Sequence, residues 1–309
     1  MKTPELTGLR GVAASWVVFG HVLGFLALTL PFWLAPISGA GFAVGLFFLL
    51  SIVLLMRSLD ANPDPRRYFL RRIRRIWPPY IATCLLVFVF LDRSVGRLLL
   101  SLAFVSIFVP GGQFQTGQPW TPNYVLWTLQ VEEWAYLAFP LIHALTPERK
   151  RWLAYSLISF SAIYAALVQG LETAKMPYAS LPFLLSNWYD LPFIWLGVYG
   201  VGLLVYLGEG RRLWMAVPLV AAMFLVPGLY GSPFEIVLGV PAFGYLVASP
   251  PKMLAQPVAV FVGEVSYEMY LLHSLLLSLA GLVGVALTPP VSAVAHWLAR
   301  PTVRNGASR

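Results

Sequence analysis

Apolar residues fill this chain in long uninterrupted runs, separated by short polar breaks, with no sustained alternation of period two. Runs at 11–30, 37–56, 77–92, 124–145, 152–170, 188–208, 213–229, 234–249 and 263–287 are close to the roughly 17–25 residues that a helix needs to cross a bilayer. A further run, 98–110, is shorter and leads into the uncharged stretch GGQFQTGQPWTPN; it reads as either re-entrant or interfacial. The pattern predicts an all-α, polytopic transmembrane bundle of about nine to ten helices, with residues 1–309 forming a single membrane domain. The piece 289–309 is too short in its apolar part, VSAVAHWLA, to cross alone.

The polar breaks give an orientation. Basic clusters fall at Arg57 to Arg75, Arg149 to Arg151, Arg211 with Arg212, and Lys252, and such loops are retained on the cytoplasmic side. All four agree if the N-terminus is cytoplasmic and 98–110 does not cross. A crossing at 98–110 would put every later cluster on the wrong face. Lys2 and Arg10 before an apolar run imitate a secretory signal, but the run from Gly11 to Leu30 is a full span long, contains Trp16 and His21 and continues into another apolar stretch. It therefore reads as the first membrane helix.

Composition sharpens the class. The 309 residues are 59% hydrophobic and only 11% charged, against roughly 25% charged in soluble domains, so an integral membrane protein is indicated. The net charge of +8 is carried by the short basic loops and reads as topology instead of nucleic-acid binding. The single cysteine, Cys84, lies in the apolar run IATCLLVFVF and reads as a buried, inert thiol. No HExxH, phosphate-binding P-loop or GxGxxG pattern is present, no metal site is expected, and no transporter-like internal repeat is visible.

Four segments carry candidate chemistry. In TGLRGVAASWVVFGHV, Arg10 and His21 are eleven residues apart, which returns to within about 20° of the same helix face while descending roughly 16 Å. A cation at the membrane edge and an imidazole near mid-depth therefore share a stripe. Such groups face a protein interior or a wet cavity, and mark either function or interhelical hydrogen bonding. In YFLRRIRRIWPPY, Arg71, Arg72, Arg74 and Arg75 crowd the mouth of the third span. They read as a topology signal, an anionic-lipid contact or a phosphate clamp, with Arg72 and Arg75 on adjacent turns of one face. Pro78 and Pro79 interrupt the backbone bonding just beyond them. In WTLQVEEWAYLAFP, adjacent Glu132 and Glu133 cannot share a face, so at most one points into a site; Glu132 shares its face with Thr128. In VGEVSYEMYLLHS, Ser266, Tyr270 and His273 form one polar stripe, read as interhelical bonding or as part of a site. His143 and His296 read as interfacial.

Taken in order, these segments resemble the integral-membrane acyltransferase 3 family. The resemblance runs through LTGLRGVAASWVVFGH, the VGLFFLLS ending at Ser51, RRIRRIWPPY, LWTLQVEEWAYLAFP and VSYEMYLLH. It implies a multi-pass acyltransferase of the bacterial cytoplasmic (inner) membrane that moves an acyl group, acetyl by default, from cytoplasmic acyl-CoA to a hydroxyl of an extracytoplasmic glycan or glycolipid, as in polysaccharide O-acetylation. It implies catalytic roles for His21, Arg10 and Glu132, donor-phosphate binding by Arg72 and Arg75 with Arg71 beside them, and substrate contacts from Ser266, Tyr270, His273 and Trp127. Membrane lipids and a lipid-linked or glycan acceptor are the partners it implies. The chain departs from the family pattern at Ile52, where Gly usually follows the motif serine, and at WLARP (297–301), which falls unusually soon after His273. A proton-coupled transporter or flippase, and a non-catalytic partner of a glycan-assembly complex, are the alternatives from other classes.

Overall fold

The computed structural model describes residues 3–26, 28, 30, 31, 40–113, 125–176, 181–216, 218 and 233–280. The secondary structure of these residues is all helical, with no strand among them: α1 (Pro4–Phe25), α2 (Ala40–Ala61), α3 (Pro65–Phe90), α4 (Val95–Leu102), α5 (Leu126–His143), α6 (Pro147–Thr173), the single turn α7 (Phe183–Ser186), α8 (Pro192–Tyr206), α9 (Pro233–Ala248), α10 (Pro257–Glu264) and α11 (Ser266–Ala280). Of these, α1, α2, α3 and α6 are long and apolar enough to cross a membrane. The protein is a helical membrane bundle. Most of the expected span 213–229 lies outside the described residues, and 281–287, the piece 289–309 and His296 lie wholly outside them.

Helix starts come from local chemistry more than from the apolar runs. Proline opens α1, α3 and α6, where its missing N–H costs nothing. Asp64 caps α3 by accepting from the N–H groups of Arg66 at 2.9 Å and Arg67 at 3.4 Å, and Thr146 caps α6 through Arg149 N. The third helix therefore begins at Pro65, ahead of the apolar run that starts at 77, and the whole arginine cluster is helical. It runs on through Pro78 and Pro79. Thr83 Oγ donates to Pro79 O at 2.9 Å and Tyr267 Oη to Ile76 O at 2.9 Å, so side chains add hydrogen bonds to the backbone next to the two prolines.

The basic clusters gather at one end of the bundle. Asp60 at the end of α2 accepts from Tyr206 Oη at 2.6 Å and meets His143 Nε2 at 2.9 Å, which ties the ends of α5 and α8 to it. Arg151 pairs with Glu209 at 2.7 Å and Lys150 lies over the Tyr206 ring. The turn holding Lys252 packs on α1, where a Cβ added to Gly8 would stand 2.0 Å from Leu254 O. Backbone-to-backbone approach of that kind needs glycine.

Segment 98–110 enters the bundle and returns to the end it came from. The eight residues of α4 span only about 12 Å. Tyr80, half-way along α3, donates to Ser101 O at 2.9 Å, after which the chain turns through Phe104 at φ 57°. The return leg is pinned by Arg97 Nε to Gly111 O at 3.1 Å, near the Arg97–Asp92 pair that follows α3. Gln130 holds the tip, accepting from Ile107 N and Ser106 Oγ and donating to Tyr80 Oη. This is a re-entrant hairpin, and with it the four basic clusters share one side.

The last expected span, 263–287, is interrupted. α10 ends at Glu264 and α11 starts afresh at Ser266, with Val265 at φ −92°, ψ 3° between them. Most of the core is apolar and aromatic, built from α2, α5 and α8 around Phe48, Trp127, Trp195 and Tyr199.

Candidate active site

The polar stripe of α1 meets the polar stripe of α11. The two helices run in the same direction, so Arg10 faces Ser266 and His21 faces His273. Arg10 Nε donates to Ser266 Oγ at 2.9 Å and its Nη2 to Gly263 O at 3.1 Å. The guanidinium thus closes the break after α10, where helical carbonyls lose their partners and a cation is favoured. His21 Nδ1 lies 2.7 Å from His273 Nε2, with the two rings within 19° of parallel. His273 is fully buried and its Nδ1 lies 3.2 Å from Met269 O.

Below this contact a cavity encloses about 930 Å³, its open mouth included. Its polar wall carries the guanidinium groups of Arg10, Arg72 and Arg75 and the carboxyl of Glu132; Val44, Phe47, Leu54 and Leu55 form an apolar wall. Three cations face one carboxylate. Arg72 Nε is buried and finds no hydrogen-bond partner among the described residues, while Arg75 is exposed at the mouth. A concave site with convergent cations and apolar walls suits a long anionic molecule with an apolar or weakly polar body.

Helix α5 supplies the next layer. Glu132 is buried and accepts from Ser51 Oγ at 2.6 Å and from Tyr136 Oη at 2.7 Å, one donor per carboxyl oxygen. Glu133 turns away and accepts from Trp77 Nε1 at 3.4 Å, as expected of adjacent residues on one helix. Thr128, one turn before Glu132, has its Oγ 2.8 Å from Tyr270 Oη, and both hydroxyls also reach Val125 O. Ser51 and Tyr136 were not candidates on sequence grounds. Helical spacing of four from Glu132 was the available signal for Tyr136; Ser51 comes from another helix, and its signal was its place as the serine that ends VGLFFLLS.

The expected site residues divide into three groups. Arg10, Arg72, Arg75, Glu132, Ser266 and Tyr270 line the cavity together. His21 and His273 are not among its lining residues: they sit beyond Tyr270, whose ring packs 5.8 Å from that of His273. The expectation that the imidazole of the first helix and the arginines border one open space is therefore modified, since Tyr270 stands between them. Arg71 is exposed beside the cluster and Trp127 is buried against Phe48, Tyr189 and Trp195, so neither lines the cavity. Among the described residues no group of three or more His, Cys, Asp or Glu could hold a metal, and Cys84 is buried.

A profile of the acyltransferase 3 family, described as an acyltransferase domain, matches residues 3–299. The chain belongs to the acyltransferase 3 family. It is 35% identical to a protein of Acidianus two-tailed virus named as acetyltransferase ORF330, over 92% of this chain and 86% of that one. It is 28% identical to the acyltransferase MdmB of Streptomyces mycarofaciens, over 75% of this chain and 64% of its relative. It is 25% identical to nodulation protein 10 of Rhizobium leguminosarum bv. viciae, over 94% of this chain and 84% of that one. No solved structure matches this acyltransferase.

One departure from the family pattern is accommodated by packing. Ile52 is fully buried, and opposite it Gly202 of α8 leaves the room: a Cβ there would stand 2.1 Å from Ile52 Cγ2.

Proposed function

We propose that this acyltransferase moves an acyl group, acetyl in the first instance, from cytoplasmic acyl-CoA to a hydroxyl of an extracytoplasmic glycan or glycolipid, in a cytoplasmic membrane. The observation that carries the reading is the cavity with three guanidinium groups and one carboxyl, opening at the end of the bundle where the basic loops gather. Positive-inside orientation makes that end cytoplasmic. CoA brings phosphates for Arg72 and Arg75 and a slender pantetheine arm for the apolar wall. The name of the viral relative supports acetyl as the group transferred.

In this scheme the acceptor hydroxyl attacks the thioester carbonyl carbon. Its O–H bond breaks as His21 takes the proton, the new O–C bond forms, and the C–S bond breaks with the proton passing to sulfur. The products are an ester and free CoA. Arg10 and Tyr270 are the donors that border the path, and charge developing on the carbonyl oxygen needs fixed donors in a dry place. Glu132, held by Ser51 and Tyr136, balances part of the cationic wall and keeps the guanidinium groups aimed inward. A transporter built from the same residues would move its anion without covalent change.

Radiolabelled acetyl-CoA supplied to membranes with and without the protein tests this. Label in surface polysaccharide or lipid that depends on the protein is expected. Translocation of an anion with no labelled acceptor would overturn the proposal in favour of transport.

A further inference from the structure

We infer that His273 is a positioning residue that fixes the tautomer of His21, leaving the base lone pair on His21 Nε2. The inference rests on the acyl-transfer reading for its role in catalysis, and on hydrogen-bond logic alone for the tautomer. A carbonyl oxygen can only accept, so His273 Nδ1, 3.2 Å from Met269 O, carries a proton. In a neutral ring the other nitrogen then has only its lone pair to offer. His273 Nε2 is 2.7 Å from His21 Nδ1, so the proton in that contact belongs to His21 Nδ1. The lone pair of His21 is accordingly on Nε2, the nitrogen directed away from His273.

The other assignment needs a doubly protonated His273. Its Nε2–H would donate to His21 Nδ1, the proton of His21 would move to Nε2, and the ring could no longer act as a base there. His273 is fully buried and its described ring contacts are a backbone carbonyl, an imidazole and the Tyr270 ring, surroundings in which a cation is expensive. The neutral pair is the stable one.

The arrangement also serves the proton transfer. When His21 Nε2 receives the hydroxyl proton, the imidazolium donates from Nδ1 to a neutral acceptor already in place, and that bond becomes charge-assisted. Returning the proton from Nε2 to the departing sulfur restores the starting tautomer, so no proton is left on the pair after a turnover. His273 itself touches neither acceptor nor donor in this scheme, which reassigns it from substrate contact to orientation of the base.

The test combines a spectroscopic and a kinetic arm. The unsubstituted protein, ¹⁵N-labelled at histidine and reconstituted in phospholipid bilayers, is examined by solid-state NMR, with His21→Asn identifying the signals of His21. A protonated Nδ1 and an unprotonated Nε2 are expected; a proton on Nε2 overturns the inference. His273→Gln retains an acceptor at about the place of Nε2, and His273→Phe does not. His273→Phe is expected to lower kcat about 100-fold, the lower end of what a positioned proton transfer contributes, with donor KM within about twofold, while His273→Gln stays within about tenfold of the unsubstituted protein. Equal loss in both, with both folded, overturns the positioning role. If the unsubstituted protein transfers no acyl group at all, the functional reading fails while the NMR arm still decides the tautomer, and misfolding of the Phe variant leaves that arm intact.

Discussion

Substituting Arg72 by Gln provides the most direct measure of the cavity. Arg72 Nε is buried in the wall without a partner among the described residues, and Arg75 is exposed at the mouth; Arg71 does not line the cavity. The three side chains are neighbours in sequence, yet geometry ranks them. A buried, charge-assisted hydrogen bond to phosphate is worth about 1.5–3 kcal/mol, so Arg72→Gln should weaken donor binding by about 10- to 150-fold. At the open mouth Arg75 is screened by solvent and belongs with exposed pairs at about 0–1 kcal/mol, a factor of at most about five. Arg71→Gln should change donor binding by less than about twofold. The assay is acetyl-CoA concentration dependence of acyl transfer in membrane vesicles, repeated with free CoA as competitor and at two salt concentrations. Salt should erode the Arg75 effect more than the Arg72 effect, because an exposed charge is screened within about 10 Å at 0.1 M. An Arg71 effect as large as that of Arg72, or loss of kcat with unchanged donor affinity in Arg72→Gln, would refute the assignment of this wall to the donor phosphates.

Ser51→Ala removes one of two hydroxyl donors to a buried carboxylate and should cost about 1.5–3 kcal/mol, read as a lower unfolding temperature in detergent together with reduced transfer; an unchanged unfolding temperature would count against a charged Glu132. Gly202→Ala drives a methyl group into Ile52 and should destabilise by about 1–3 kcal/mol, whereas Ile52→Ala in the same chain should recover part of that loss; strictly additive effects in a double-mutant cycle would show that the two positions do not compensate. Gln130→Leu strands Ile107 N–H and loosens the re-entrant tip, so a cysteine placed at Phe108 should react faster with a membrane-impermeant maleimide than in the parent chain. Thr128→Val removes one hydrogen bond from the Tyr270 hydroxyl and should raise acceptor-independent hydrolysis of acetyl-CoA; hydrolysis at the parent rate would indicate that this bond does not separate the cavity from the histidine pair.

Much of this arrangement is legible along the chain wherever one helix carries the whole pattern. The eleven-residue interval put Arg10 and His21 on one stripe, and both do face α11. Spacing within α11 put Ser266, Tyr270 and His273 on one face, where each meets a polar partner from another helix. Adjacent glutamates had to diverge, and Glu132 turns inward while Glu133 meets Trp77. What could not be read depends on pairs of helices or on backbone ends. Ser51 ends the segment VGLFFLLS, but its pairing with Glu132 becomes visible only when α2 is brought against α5. The start of α3 lies in charged sequence, where hydropathy marks the membrane boundary instead of the helix boundary, and Asp64 with Pro65 is the stronger signal. The break at Val265 has no proline to announce it; Arg10 stabilises it from a helix more than 250 residues earlier.

The placement of Tyr270 bears on how such an enzyme avoids wasting its donor. In the proposed reaction an acyl thioester in the cavity is exposed to water, and an acceptor on the other side must not meet it through an open pore. Tyr270 lines the cavity with its hydroxyl tied to Thr128 and Val125, and its ring rests on His273, the partner of His21. One side chain therefore lines the cationic cavity and touches His273, the partner of the proposed base. Excluding water from the base until both substrates are present strengthens the local electrostatics and suppresses hydrolysis. In the proposed reaction the acyl group would have to pass the Tyr270 ring, which lies one turn before His273 on α11. A rigid pore lined by all the polar residues at once would place the same chemistry in continuous water, and the buried, mutually bonded hydroxyls of Thr128 and Tyr270 argue against that geometry.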